Sequence, residues 1–177
     1  LFRNFNLEIK EGSFTTIIGK NGSGKSTLAK ILIGLYKADG YIAIDGYLLN
    51  DFYMKKIRRE FSVCFDNADN HFIGETVKDD LAFTLENLEY SKKEMTSSIN
   101  MIAKKFKLED ILELSPDKLT NSEKEKVMIA SALIHKPKIL LLDESIYKLN
   151  ASDKKLIFKV LKEYQKEYKL TIILITH

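Results

Sequence analysis

The nine residues Gly19-Lys20-Asn21-Gly22-Ser23-Gly24-Lys25-Ser26-Thr27 constrain this chain more than any other feature, because they fit G-x-x-x-x-G-K-[ST] at every fixed position. An apolar run ends just before them at Ile18. A helical period opens at Lys25, with Leu28, Ile31, Leu32 and Leu35 on one face. The segment is therefore a strand, a glycine loop and a helix. Glycines let the backbone curl until several N–H groups converge on one phosphate, and the helix that follows turns its positive end toward it. In such a loop Lys25 neutralises β- and γ-phosphate oxygens, and the Ser26 hydroxyl is a ligand for Mg²⁺. These residues imply a nucleoside triphosphate site on an α/β scaffold.

A second anchor lies in Ile139-Leu140-Leu141-Leu142-Asp143-Glu144. An apolar strand that ends in a carboxylate places Asp143 behind the Mg²⁺ of a phosphate loop. Glu144 then stands where it can polarise a water aimed at the γ-phosphate.

Between the anchors the pattern changes character. Two strands are expected first, Phe5–Ile9 and Phe14–Ile18, joined by a turn at Glu11-Gly12. Tyr41–Asp45 alternates like an edge strand before an Asp45-Gly46 turn, and Phe61–Phe65 reads as a short buried strand. From Thr76 to about Leu133 the period is helical, with Val77, Leu81, Leu85 and Leu88 in one set and Ile99, Ile102, Ala103 and Phe106 in another. Strand signals return at Ile139–Leu142 and Leu170–Ile175, separated by a helix from Ser152 to about Tyr168. Unalternated apolar strands separated by helices predict a mostly parallel sheet covered on both faces. The expected organisation is one domain over 1–177, with residues 1–65 and 137–177 as the α/β core and 66–136 as a helical insertion. The chain opens without Met inside a strand-like run and stops right after another, the mark of a piece of a longer protein.

Composition narrows the function classes. The 177 residues carry 25 Lys and 3 Arg against 25 acidic groups, a formal charge of +3. That is too little charge, and too little of it arginine, to predict a nucleic-acid partner. No apolar stretch is long enough to cross a bilayer. The lone Cys64 excludes an internal disulfide framework and suits a reducing compartment; its apolar neighbours predict a buried, inert thiol. His135 before Lys136-Pro137 reads as a surface turn residue, and His71 has no neighbours at metal-ligand spacing. The lysines of 154–169 read as the solvated face of an amphipathic helix, with Leu156, Val160, Leu161 and Tyr164 inside.

With both anchors in place, the chain resembles the ATP-binding cassette (ABC) ATPases over essentially its whole length. Gly19–Thr27 is similar to their Walker A motif and Ile139–Glu144 to their Walker B motif with its catalytic Glu. His177, after Thr176 at the end of a strand, is similar to their switch histidine, which senses the γ-phosphate and holds the attacking water. The resemblance implies a P-loop NTPase core, with a RecA-like mostly parallel sheet, an antiparallel N-terminal β part and an inserted helical subdomain. It also implies ATP with Mg²⁺ and hydrolysis at a dimer interface. The run from Phe65 to Leu88 resembles more narrowly the energy-coupling factor (ECF) transporter ATPases, which drive vitamin or metal uptake. In those proteins the segment matching 66–80 meets a transmembrane subunit at the cytoplasmic face of the membrane. The family's adenine-stacking aromatic precedes the first strand; the chain starts too late to include it, and Phe2 is a poor substitute. A non-transport ABC ATPase or a regulatory ATP-binding subunit is the alternative reading.

Three places depart from the family pattern. Its Q-loop glutamine falls on Asp66, still a possible Mg²⁺ ligand. Its Leu-Ser-Gly-Gly-Gln signature falls on Leu119-Thr120-Asn121-Ser122-Glu123. Asn121 and Ser122 put Cβ atoms where glycines would let N–H groups close on a phosphate, and Glu123 adds a charge of the wrong sign. The D-loop aspartate falls on Asn150. Ser122–Glu125 reads as a capping box that opens a helix. In ABC dimers each ATP lies between one chain's Walker motifs and the other's signature. The departures therefore predict a heterodimer, in which a paralogous ATPase completes the site built on this chain's Lys25 and Glu144.

Overall fold

In the computed structural model, which describes residues 3–66 and 72–177, four parallel strands lie in the order β1-β6-β5-β4. They are β1 (Phe14–Ile18), β4 (Phe61–Cys64), β5 (Ile139–Asp143) and β6 (Thr171–Thr176). Helix α1 (Lys25–Leu32) follows β1, and a short antiparallel hairpin, β2 (Ala43–Ile44) with β3 (Tyr47–Leu48), leads to α2 (Met54–Glu60). Between β4 and β5 run α3 (Val77–Asn87), α4 (Lys92–Phe106) and α5 (Asn121–Leu133); α6 (Ala151–Tyr168) crosses from β5 to β6.

The unalternated strands are explained by burial on both faces. Leu140, Leu142, Ile172 and Leu174 join a core built with α3 to α6. Leu141, Ile173 and Ile175 face the other way, onto Ala29 of α1 and Ile57 of α2. The helices between β4 and β5 share the first of these cores, with Leu81, Leu85, Ile102, Phe106 and Ile129 all fully buried in it.

Three helix starts use the same device. Thr76, Ser91 and Thr120 each accept a hydrogen bond from the N3 backbone, while Asp79, Glu94 and Glu123 reach back to the cap. Such caps contribute about 1 kcal/mol each. The cap expected at Thr76 is found; the box expected at Ser122–Glu125 is instead Thr120–Glu123, two residues earlier, because Ser122 is turned away toward α6.

Other expectations need correction. Phe5–Ile9 is not a strand: Phe5 and Leu7 are exposed, and among the described residues no strand pairs with the segment. The edge strand at Tyr41–Asp45 shrinks to the two-residue β2, although the Asp45-Gly46 turn is present with both residues at positive φ, 49° and 77°. Cys64 is fully buried, and burial pushes its thiol well up.

His135 is not a surface residue. It is half-buried, its Nε2 lies 3.3 Å from Ser62 Oγ, and burial pushes its pKa down to about 4. The unfolded chain takes up this proton near pH 6.5, whereas the folded chain resists it until about pH 4. The contribution of neutral His135 to stability is therefore fully present above pH 6.5 and falls as the pH drops through that window, by about 3 kcal/mol over the whole of it. Thermal midpoints between pH 7 and 4.5 should show the loss, and His135→Gln should flatten that part of the curve.

Candidate active site

All four parallel strands end on one edge of the sheet. Cys64 pairs with Leu142, Asp143 with Ile175 and Thr176 with Ile18. The loops that follow carry Asp66, Glu144, His177 and Gly19, so residues far apart in sequence converge where open α/β sheets bind ligands.

The phosphate loop leaves β1 at Gly19. Gly22 (φ 78°) and Gly24 (φ 99°) take left-handed conformations there, which a Cβ would strain. Gly24 is the N-cap of α1 and offers no side chain, so the first-turn N–H groups stay open to an anion. Lys25 is buried, and its Nζ folds back onto the carbonyls of Gly19 (2.7 Å) and Lys20 (3.1 Å). A triphosphate carries stronger acceptors for that ammonium than two carbonyls.

Ser26, at the start of α1, hydrogen-bonds the Asp143 side chain. Asp143 is 3% exposed, and its Oδ1 is buried with no hydrogen-bond partner among the described residues. Burial raises its pKa; the Ser26 hydrogen bond and Lys25 oppose the rise, and the carboxylates of Glu144 and Asp66 add to it. A buried carboxylate with an orphaned oxygen, next to a hydroxyl and two more acids, fits a hard divalent cation. Ser26 and Asp143 would hold Mg²⁺, which would supply charge neutralisation at the phosphates.

Glu144 has φ 56°, a strained value for a residue with a Cβ that costs about 1 kcal/mol. Its N–H donates to the carbonyl of Ile175 at 3.1 Å. That bond ties the turn after β5 to β6, and Glu144 Oε1 lies 3.5 Å from His177 Nδ1. The acid and the imidazole expected to work together are thus neighbours.

Asp66 is placed differently from a simple metal ligand. Lys148 Nζ donates to its carbonyl at 2.9 Å and lies 3.8 Å from its carboxylate, and also 3.9 Å from the buried Glu125 carboxylate on α5. Lys148 therefore joins the segment after β4, the loop after β5 and α5. Residues 67–71, with His71, fall outside the described residues, as does Phe2.

The Leu119–Glu123 tip is committed to internal bonds. The Glu123 carboxylate accepts from Thr120 N (2.8 Å) and Oγ1 (2.7 Å), and the first of these holds its pKa down. Ser122 Oγ donates to Asp153 at 2.6 Å and accepts from Asn150 N at 3.1 Å. Asn150 caps α6 by accepting from Asp153 N at 2.8 Å, and Lys126 pairs with Asp153 at 3.3 Å. Sequence reasoning missed this link between Ser122 and Asn150, because nothing in the spacing of residues 28 apart announces it.

A parallel sheet with a glycine loop, an Asp-Glu pair at the end of one strand and a histidine just beyond the end of the neighbouring one defines a phosphate-loop nucleotide-binding core. The chain belongs to the ABC transporter family, whose profile, described as ABC transporter, matches residues 2–147. It is 42% identical over 175 residues to the "Energy-coupling factor transporter ATP-binding protein EcfA" of Pediococcus pentosaceus, covering 98% of this chain and 62% of that protein. Among solved structures it is similar to CbiO1 of Clostridium perfringens, part of the ABC transporter complex CbiONQ. There the TM-score is 0.86 and the identity 32%, over 98% of this chain and 70% of that one. It is also similar to the ATP-binding cassette MJ0796 in a dimeric post-hydrolysis state with ADP and Pi, with a TM-score of 0.85 and 31% identity over 99% and 79% of the two chains. The chain spans less than two thirds of the length of the curated EcfA relatives it matches first.

Proposed function

We propose that this chain is the nucleotide-binding part of an ATPase subunit that energises a membrane importer of the ECF type, with Mg²⁺ and ATP as its cofactor and fuel. The observation that carries the reading is the convergence, at the ends of adjacent strands, of the Lys25–Ser26 cradle, the orphaned Asp143 oxygen and the Glu144–His177 pair 3.5 Å apart. Gly19, Gly22 and Gly24 shape the loop, Lys20, Asn21, Ser23 and Thr27 complete it, and Glu144 acts as base with His177 beside it. The Asp66 charge is felt at Asp143, but Asp66 is already engaged by Lys148.

The subunit works as one half of an ATPase dimer with unequal sites. Glu123 is bonded back onto the first turn of α5, where its charge cancels the positive helix end that would otherwise attract a phosphate. Ser122 is locked to α6. Both facts favour a heterodimer in which a paralogous ATPase brings the working signature.

The transmembrane partner meets the chain through the 66–80 region, which places the subunit at the cytoplasmic face of the membrane as a peripheral protein. Among the described residues no helix is long and apolar enough to cross a membrane itself. A cavity of about 310 Å³ beside β4, lined by Arg58, Ile73, Phe83, Thr84, Ser131 and His135, adjoins that segment. Ile73 and Phe83 are 65% and 39% exposed there. The lysine face of α6 lies toward β1, at the opposite edge of the sheet, where Phe158 meets Phe14 at 6.3 Å.

Full-length protein reconstituted with its membrane partner in vesicles should take up substrate only with ATP and Mg²⁺. Uptake that is indifferent to ATP would overturn the reading. Phe83→Asp should weaken co-purification of the membrane subunit about tenfold or more while leaving nucleotide binding intact.

A further inference from the structure

Tyr147 lies three residues beyond Glu144, in the turn where its N–H donates to the Glu144 carbonyl at 3.3 Å. Its ring is 48% exposed, so burial gives little reason for a large aromatic here. Among the described residues its ring interactions are two. It stacks on the His177 imidazole with centroids 4.5 Å apart and planes 15° apart, and Nζ of Lys154, on α6, lies 6.0 Å from its centroid.

An imidazole turns about two side-chain torsions, and a single carboxylate contact fixes only one direction of it. Glu144 Oε1 engages His177 Nδ1 at 3.5 Å. The near-parallel Tyr147 ring supplies the missing constraint, because a flat stack fixes the plane of the imidazole as well as its depth. We propose that Tyr147 is a positioning residue for His177: it holds the imidazole plane so that one ring nitrogen faces Glu144 and the other faces the phosphate side of the site. The proposal rests on the reading of Glu144 and His177 as the hydrolytic pair. It assigns Tyr147 no contact with the nucleotide. The loop that carries Glu144 also carries the group that orients Glu144's partner, so both rise or shift together.

The test uses the full-length subunit assembled with its partners and two variants. Tyr147→Ala should lower kcat by about two- to tenfold, the range expected for one aromatic pair, with KM for ATP unchanged. Tyr147→Phe keeps the ring and should restore kcat. In the full-length subunit without nucleotide, the His177 ring protons should resonate upfield in the wild type and in Tyr147→Phe, and should return to an ordinary histidine position in Tyr147→Ala. Wild-type kcat in Tyr147→Ala would overturn the proposal. So would equal loss in Tyr147→Phe, which would point to the hydroxyl, or a raised KM at constant kcat, which would point to a nucleotide contact. If the wild-type assembly hydrolyses no ATP, the hydrolytic reading fails. The resonance still decides the stack, and an unshifted His177 signal in the wild type overturns the proposal by itself.

Discussion

Glu144→Gln should stop ATP turnover, by about 10²- to 10⁴-fold, the range of a lost general base, while ATP still binds. The amide keeps the size of the side chain, and the backbone bond from residue 144 to the Ile175 carbonyl is untouched. Lys25, Ser26 and Asp143 do not depend on the lost charge for their positions. Removing one of the carboxylates that raise the Asp143 pKa leaves the cation cradle less crowded with negative charge, so nucleotide affinity should hold or increase. The pair of measurements is phosphate release and equilibrium nucleotide binding in the assembled full-length complex. Unchanged release would show that Glu144 is not the base, and lost binding would show that it is part of the cradle instead.

Much of this site was legible because its residues sit at chain positions that physics makes conspicuous. Gly22 and Gly24 stand where the backbone needs left-handed φ, and Asp143 and Glu144 end an apolar strand too unalternated to be exposed. The parallel sheet followed from the same runs, and the register that brings Thr176 to Ile18 put His177 beside the loop.

The misses have causes as definite. Phe5–Ile9 alternates like a strand, but alternation describes a side-chain pattern and does not supply a partner. Helix α2 is silent in the sequence because Met54 and Ile57 are a single apolar step in seven residues, too short for a period to declare itself. Helix α5 has two adjacent box-like patterns, and the choice between Thr120 and Ser122 was made by Asp153, a tertiary partner 31 residues away. His135 looked like a turn residue because Lys136-Pro137 follows it; the packing of β4 against α5 buried it. Tyr147 and Lys148 gain their neighbours only when three strand ends meet.

The signature tip has the larger consequence. The Ser122 hydroxyl and the Glu123 carboxylate are spent on Asp153, Asn150 and Thr120, and the two glycines that would let N–H groups close on a phosphate are Asn121 and Ser122 here. A second copy of this chain would therefore close poorly over the triphosphate held by Lys25. Losing one preorganised donor at a transition-state oxyanion lowers turnover by about 10²- to 10³-fold. In a mixture with a paralogue that has an intact signature, the site built on Lys25 and Glu144 becomes the productive one. Lys25→Ala in this chain should then abolish most of the mixture's turnover.

The decisive measurement is ATP turnover of the full-length chain alone, set against the same chain mixed with its paralogous ATPase under the membrane partner. The isolated chain should run about a hundredfold slower than the mixture. Full activity of the isolated chain as a homodimer would contradict it.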